Sequence, residues 1–275
     1  MSTAVGRRYE PRLPSPPGEG DAELTLLRTD GLTVNFGGVH ALGGVDLEIE
    51  GGGIVGLIGP NGAGKTTFID AVTGFVEPSS GHIEFADHDI TRAAPHERAR
   101  HGLLRTFQSL ELFEDLTVEQ NLSAAAERIP WWQFFVDAVW PRRSAEAAEA
   151  VDRALELLEL TDVRHSLPGD LSHGRRRLVG MARSLAADPR LLLLDEPAAG
   201  LDTAESQNLG DLLRTVADDG TTILLVDHDM GLVLDVCDTV YVLDFGQLIA
   251  HGTPSEVRND PAVVGAYLGA SETDG

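Results

Sequence analysis

With 275 residues, 42% of them hydrophobic, the chain can form one large domain or two small ones around a substantial core. Its net charge of −23 argues against a nucleic-acid partner, because phosphate contacts need a basic face, and against unaided binding to anionic lipid. The single cysteine, Cys237, leaves no disulfide or cysteine zinc site within the chain and reads as a small buried hydrophobe. No apolar run reaches membrane-helix length, and residues 1–20 hold no continuous apolar stretch of the secretory kind, so the expected compartment is the cytosol.

In chain order, residues 1–22 are rich in Pro, Gly and Arg and are expected to be a disordered tail. Alternating segments follow at 24–27, 32–36 and 45–49, an antiparallel set of strands. The apolar run Ile54-Val55-Gly56-Leu57-Ile58 reads as a buried strand and residues 66–72 as a helix. Between them stands Gly59-Pro60-Asn61-Gly62-Ala63-Gly64-Lys65-Thr66, which fits the phosphate-binding pattern G-x-x-x-x-G-K-[ST] at every fixed position. Glycines let the backbone curl with its N–H groups aimed at phosphate oxygens, and the helix start adds partial positive charge. Lys65 is expected to reach the β- and γ-phosphates of ATP, and the Thr66 hydroxyl to ligate Mg²⁺. Lys65 is the only lysine among twenty-one basic residues; lysine is kept where a compact point charge is wanted.

His82-Ile83-Glu84-Phe85 reads as one more strand, and the chain from about 95 to 185 as helical, with an amphipathic segment at 145–160. All three tryptophans lie between Trp131 and Trp140, a stretch that suits either local core packing or docking of an apolar partner. Leu191-Leu192-Leu193-Leu194 and Thr222-Ile223-Leu224-Leu225-Val226 read as buried strands joined by a helix at about 204–217, a parallel β-α-β unit. A hairpin around Asp244-Phe245-Gly246 and a helix ending at Leu268 complete the chain. The fold class is therefore α/β: a mostly parallel sheet flanked by helices, with an N-terminal antiparallel β part and an inserted α-helical subdomain. The core is expected to hold residues 23–94 and 187–270 and the helical subdomain 95–186, all within one domain at 23–270.

Three further groups carry chemistry. Asp195-Glu196 follows a buried parallel strand at the end where open α/β sheets place ligands; Asp195 suits the Mg²⁺ side and Glu196 the deprotonation of a water attacking the γ-phosphate. His228 follows the next buried strand and can hydrogen-bond the γ-phosphate. Ser172 and Gly174, at the start of a helix expected over 175–186, offer a second anion cradle. One nucleotide does not need two cradles; a second makes sense if it closes over a nucleotide held by another chain.

Together these residues resemble the ATPase subunit of ABC transporters, a P-loop NTPase family, from about Leu24 to Leu268. The resemblance implies that Asn61, Gly62, Ala63, Gly64, Lys65, Thr66 and Thr67 bind the ATP phosphates and that Phe36 stacks on adenine. It implies that Gln108 is the glutamine-loop residue, serving Mg²⁺ and catalysis, that Asp202 belongs to the D-loop and that His228 is the switch histidine. Leu171-Ser172-His173-Gly174-Arg175 stands where the family signature Leu-Ser-Gly-Gly-Gln is expected, with His173 and Arg175 as departures. Phe36-Gly37-Gly38, Glu196-Pro197-Ala198-Ala199-Gly200-Leu201 and His228-Asp229-Met230 look like the ATPases of branched-chain amino acid importers. The implied partners are a second ABC ATPase subunit (a heterodimer, or a homodimer in isolation), transmembrane permease subunits on the cytoplasmic face of the membrane and, indirectly, a solute-binding protein. An exporter or lipid-transport ATPase of the same fold, or a non-transport ABC ATPase, is the alternative.

Overall fold

The computed structural model describes residues 25–106, 112–127, 144–227 and 230–270. The expectations for the 1–22 tail and for the tryptophan stretch lie outside them. β1 (Thr25–Phe36) and β2 (Val39–Glu50) form a long antiparallel hairpin. The segments expected at 24–27 and 32–36 are thus one strand. Register shifts between Thr29 and Leu32, with Gly31 at φ 59°, keep Leu27, Thr29, Leu32 and Val34 buried along its length. β3 (Ile54–Ile58) ends at the phosphate loop, and α1 (Lys65–Thr73) follows it. β4 (Ser80–Phe85) and β5 (His88–Asp89) return to the hairpin and complete a four-stranded sheet of order β2-β1-β4-β5.

α2 (Pro95–Arg100) leads to β6 (Leu103–Arg105), and α3 (Val118–Ala126), α4 (Ala145–Leu157) and α5 (His173–Leu185) make up the helical part. β7 (Leu191–Asp195), α6 (Thr203–Asp218), β8 (Thr222–Val226) and α7 (Met230–Val236) bring the chain back to the core. The hairpin of β9 (Thr239–Asp244) and β10 (Gln247–Gly252), then α8 (Pro254–Asn259) and α9 (Pro261–Ala270), finish it. The second sheet has the order β10-β9-β3-β8-β7-β6; every neighbouring pair is parallel except the β9–β10 hairpin. The helical reading of 95–185 passed over β6, whose three residues pair with Leu191–Leu193 of β7. Three residues are too few to show a strand period.

Side-chain alternation explains why the central strands are apolar throughout. Ile54, Ile58, Leu192, Leu194, Ile223 and Leu225 face a core shared with Leu155, Val179, Leu213 and Val233 of the helices. Val55, Leu57, Leu191, Leu193, Leu224 and Val226 face the other way, onto Phe68 and Ile69 of α1 and Leu42, Leu47 and Ile49 of β2. α1 is therefore packed between the two sheets. Its C-terminal end is held by Arg98, buried to 2% exposure, which donates to Ala71 O and Val72 O at 2.7 Å each and to Ala93 O and Thr91 O. Burial pushes that guanidinium's pKa down, yet an arginine keeps its charge, and a cation at a helix C-terminus is favourable. Among the described residues no helix is long and apolar enough to cross a membrane.

Candidate active site

The phosphate loop is wedged between β2 and the end of β9. A Cβ at Gly59 would lie 2.1 Å from Leu243 O, and one at Gly64 would lie 2.7 Å from Ala41 O. Gly64 also adopts φ 107°, so glycine is required there on both counts. The β9–β10 turn fastens the loop from outside, with Gly246 N donating to Ala63 O at 2.8 Å. Gly64 is the N-cap of α1 and brings no side-chain acceptor; the first turn holds no acidic residue. A helix start without an acceptor of its own is fitted for an anion, and the loop curled before it suits a phosphate chain. Asn61, Gly62 and Thr66 are exposed at its mouth, with Thr67 half-buried.

Lys65 is only 8% exposed, and its Nζ donates to Gly59 O at 2.6 Å and Pro60 O at 3.0 Å. Burial pushes its pKa down, while Glu196, Asp195 and Asp227 lie close enough to oppose that shift. The one lysine thus shares its space with three carboxylates from the ends of β7 and β8. Asp195 Oδ2 accepts from Arg105 Nη2 at 2.8 Å. Glu196 sits at φ 49°, a left-handed conformation that costs a non-glycine residue on the order of 1 kcal/mol or more. Its N–H donates to Val226 O at 2.7 Å, which anchors the turn to β8. Asp227 is fully buried, and its Oδ2 accepts from Ala198 N at 3.2 Å, fixing the same turn from below.

Gln108 and His228 lie outside the described residues; the strands that precede them, β6 and β8, end on this same edge. Phe36 is half exposed at the end of β1, opposite Val39. Ser172 caps α5, its Oγ accepting from Arg175 N at 3.3 Å. Asp202 caps α6 in a reciprocal pair with Glu205: Asp202 Oδ1 accepts from Glu205 N at 2.9 Å, and Glu205 Oε2 from Asp202 N at 3.1 Å. Ser172, Gly174 and Glu205 line a separate cleft of about 380 Å³ between α5, α6 and the end of α4. No residue of the phosphate loop lines it, so the second cradle is not joined to the first within one chain.

The ABC transporter family profile matches residues 42–199. The chain belongs to the ABC transporter family. It is one of that family's ATP-hydrolysing subunits. It is similar to the high-affinity branched-chain amino acid transport ATP-binding protein BraF of Pseudomonas aeruginosa, 39% identical over 89% of this chain and 98% of that one. The corresponding protein LivG of Escherichia coli is 40% identical over the same shares. A shorter profile, of the branched-chain amino acid ATP-binding cassette transporters, matches residues 247–273. Among solved structures, the ADP conformation of an ATP-binding cassette of an ABC transporter superposes with a TM-score of 0.78 at 31% identity, over 90% of this chain and 99% of that one.

In this ABC ATPase the signature departure Arg175 is engaged with Asp162, Nη1 to Oδ2 at 2.6 Å, and the bond lowers the pKa of that carboxyl. Arg177, two residues on, donates to Pro197 O and Ala199 O, tying the signature helix to the turn that holds Glu196. The Mg²⁺ expectation fits the donors present. Among the described residues no group of three or more His, Cys, Asp or Glu side chains is arranged to hold a metal ion by itself. Mg²⁺ needs none, since it takes one or two carboxylates and completes its shell with phosphate oxygens and water. Asp195 and the Thr66 hydroxyl supply oxygens only. Sequence reasoning missed Arg105 and Asp227. The signal for Asp227 was an acid directly after a fully apolar strand; Arg105 gave none, because its partners are far away in the chain.

Proposed function

We propose that this ABC ATPase drives import of branched-chain amino acids or a related small polar solute. It does so as one of two ATPase subunits docked on permease subunits at the cytoplasmic face of the membrane, with a solute-binding protein delivering the cargo. The observation that carries the hydrolytic part is Lys65 sharing one sheet edge with Asp195 and Glu196. The likeness to BraF and LivG supports the cargo class. Residues 23–270 act as one domain.

The phosphates rest on the N–H groups of the loop from Asn61 to Thr67, with adenine on Phe36. Lys65 releases the carbonyls of Gly59 and Pro60 and turns to the β- and γ-phosphates. Thr66, Asp195 and Gln108 would hold Mg²⁺, which when bound neutralises charge on the β- and γ-oxygens. Glu196 takes a proton from water as the water oxygen bonds to the γ-phosphorus and the bond to ADP breaks; His228 orients the γ-phosphate. The partner ATPase's counterparts of Ser172 and Gly174 close the site on the far side, as this chain's Ser172 and Gly174 do for the partner's nucleotide, and Asp202 stands at that junction.

The test is reconstitution in vesicles with branched-chain amino acid permease subunits and a solute-binding protein from the same organism. ATP turnover in vesicles should rise when binding protein and leucine, isoleucine or valine are added together, with the labelled amino acid accumulating on the ATP side. Turnover without any response to those solutes, or movement away from the ATP side, would replace the importer reading with the exporter one.

A further inference from the structure

Asp195 does not stand alone at the end of β7. Arg105, the last residue of β6, gives one arm of its guanidinium to each of two carboxylates: Nη1 donates to Asp70 Oδ1 at 2.5 Å and Nη2 to Asp195 Oδ2 at 2.8 Å. The three side chains are largely withdrawn from water, at 12%, 28% and 10% exposure. A fork used this way does not clamp one carboxylate bidentately; it struts α1 against β7. Asp70 lies one helical turn after Thr66, on the same face of α1. The two oxygen donors assigned to Mg²⁺ are therefore the ends of one connected path: Thr66, a turn of helix, Asp70, Arg105, Asp195. Without the guanidinium, two part-buried carboxylates would face each other unneutralised. A lysine there offers one ammonium point where two diverging N–H groups are needed.

We infer that Arg105 and Asp70 are positioning residues that set the placing of the Asp195 carboxylate relative to the Thr66 hydroxyl, and through it the divalent-cation affinity of the nucleotide-bound site. The inference rests on Asp195 being the metal-side carboxylate. Charge alone predicts the opposite sign for Arg105, because a neighbouring guanidinium weakens cation binding and its removal should strengthen it. The strut predicts weakening.

The probe is Mn²⁺, titrated by electron paramagnetic resonance onto the full chain loaded with a non-hydrolysable ATP analogue. The same analogue is titrated in EDTA to isolate nucleotide binding. Arg105→Gln and Asp70→Asn should each weaken Mn²⁺ about 10- to 100-fold, the usual effect of losing a group that orients a metal ligand, while metal-free analogue affinity stays within about threefold. Arg105→Lys should recover only a minor part of the loss. Arg105→Lys keeps the charge and removes one of the two diverging N–H groups, so charge alone predicts no change there and the strut predicts a loss; it decides the matter if Arg105→Gln does not fold. Tighter or unchanged Mn²⁺ in the folded variants, with Asp195→Asn weakened, would overturn the strut and leave the site reading standing. Unchanged Mn²⁺ in Asp195→Asn would overturn the site reading, and the strut with it.

Discussion

Lys65 gives the sharpest quantitative expectation at the nucleotide. Its ammonium is almost fully buried and already donates to Gly59 O and Pro60 O, so nucleotide binding exchanges partners and does not add them. A hydrogen bond to a charged group contributes about 1.5–3 kcal/mol. Two neutral carbonyl acceptors are exchanged for two charged phosphate oxygens, so the count of bonds is unchanged and the gain is the added charge–charge attraction, roughly the worth of one such bond. Lys65→Ala should then weaken binding about 10- to 150-fold. Lys65→Arg should not restore it, because a planar guanidinium must fit a space closed by two loop carbonyls. The assay is titration with a fluorescent ATP analogue in EDTA at fixed salt, with a thermal melt of each variant as the check on folding. Unchanged affinity in a folded Lys65→Ala chain, or normal turnover by Lys65→Arg, would refute the reasoning.

Other consequences are as direct. Arg98→Met removes the donor from Ala71 O and Val72 O at the buried end of α1 and should cost about 2–6 kcal/mol in urea unfolding; a loss well under that range would show that the carbonyls find other donors. Burial pushes the Cys237 thiol up to about 12, so the native chain should resist alkylation at pH 8 and react only once unfolded. The native thiol keeps its proton while the unfolded one ionises near pH 8.5. Its contribution to stability is therefore full below about 8.5 and is lost as pH rises toward about 12, and the stability gap between the parent and Cys237→Ala should shrink over that window. Chains carrying Lys65→Ala or Ser172→Arg should each be inactive alone and regain some activity when mixed, since one intact composite site can then form. Full activity of Ser172→Arg as a monomer would sink the two-chain site.

Much of this was legible because chemistry and burial are written locally. The phosphate loop lies between an apolar strand and its helix, and the four leucines before Asp195 mark a strand covered on both faces. What stayed hidden depends on pairing across the chain. β6 is only three residues long and is defined by its hydrogen bonds to β7. Arg105 is an ordinary arginine until the fold brings it to Asp70 and Asp195. Asp227 looks like a turn residue but is buried under the Glu196 turn. Asp202, by contrast, is placed by its local sequence, its side chain capping α6 in a reciprocal pair with Glu205 three residues on. Continuity of β1 through Gly31 is likewise a property of pairing, since bulges keep its buried face in register while the sequence breaks its alternation.

Glu196 is where the account is most exposed. It is held at φ 49° by its bond to Val226 O, in the company of Lys65 and Asp195, and glutamine there keeps the size and the backbone while removing the proton acceptor. The decisive measurement is single-turnover hydrolysis of ATP by Glu196→Gln beside its equilibrium affinity for ATP. Affinity should be kept and the rate of the chemical step should fall about 10²- to 10⁴-fold. A chemical step near the parent's rate, with ATP bound normally, would mean that another group takes the proton from the attacking water.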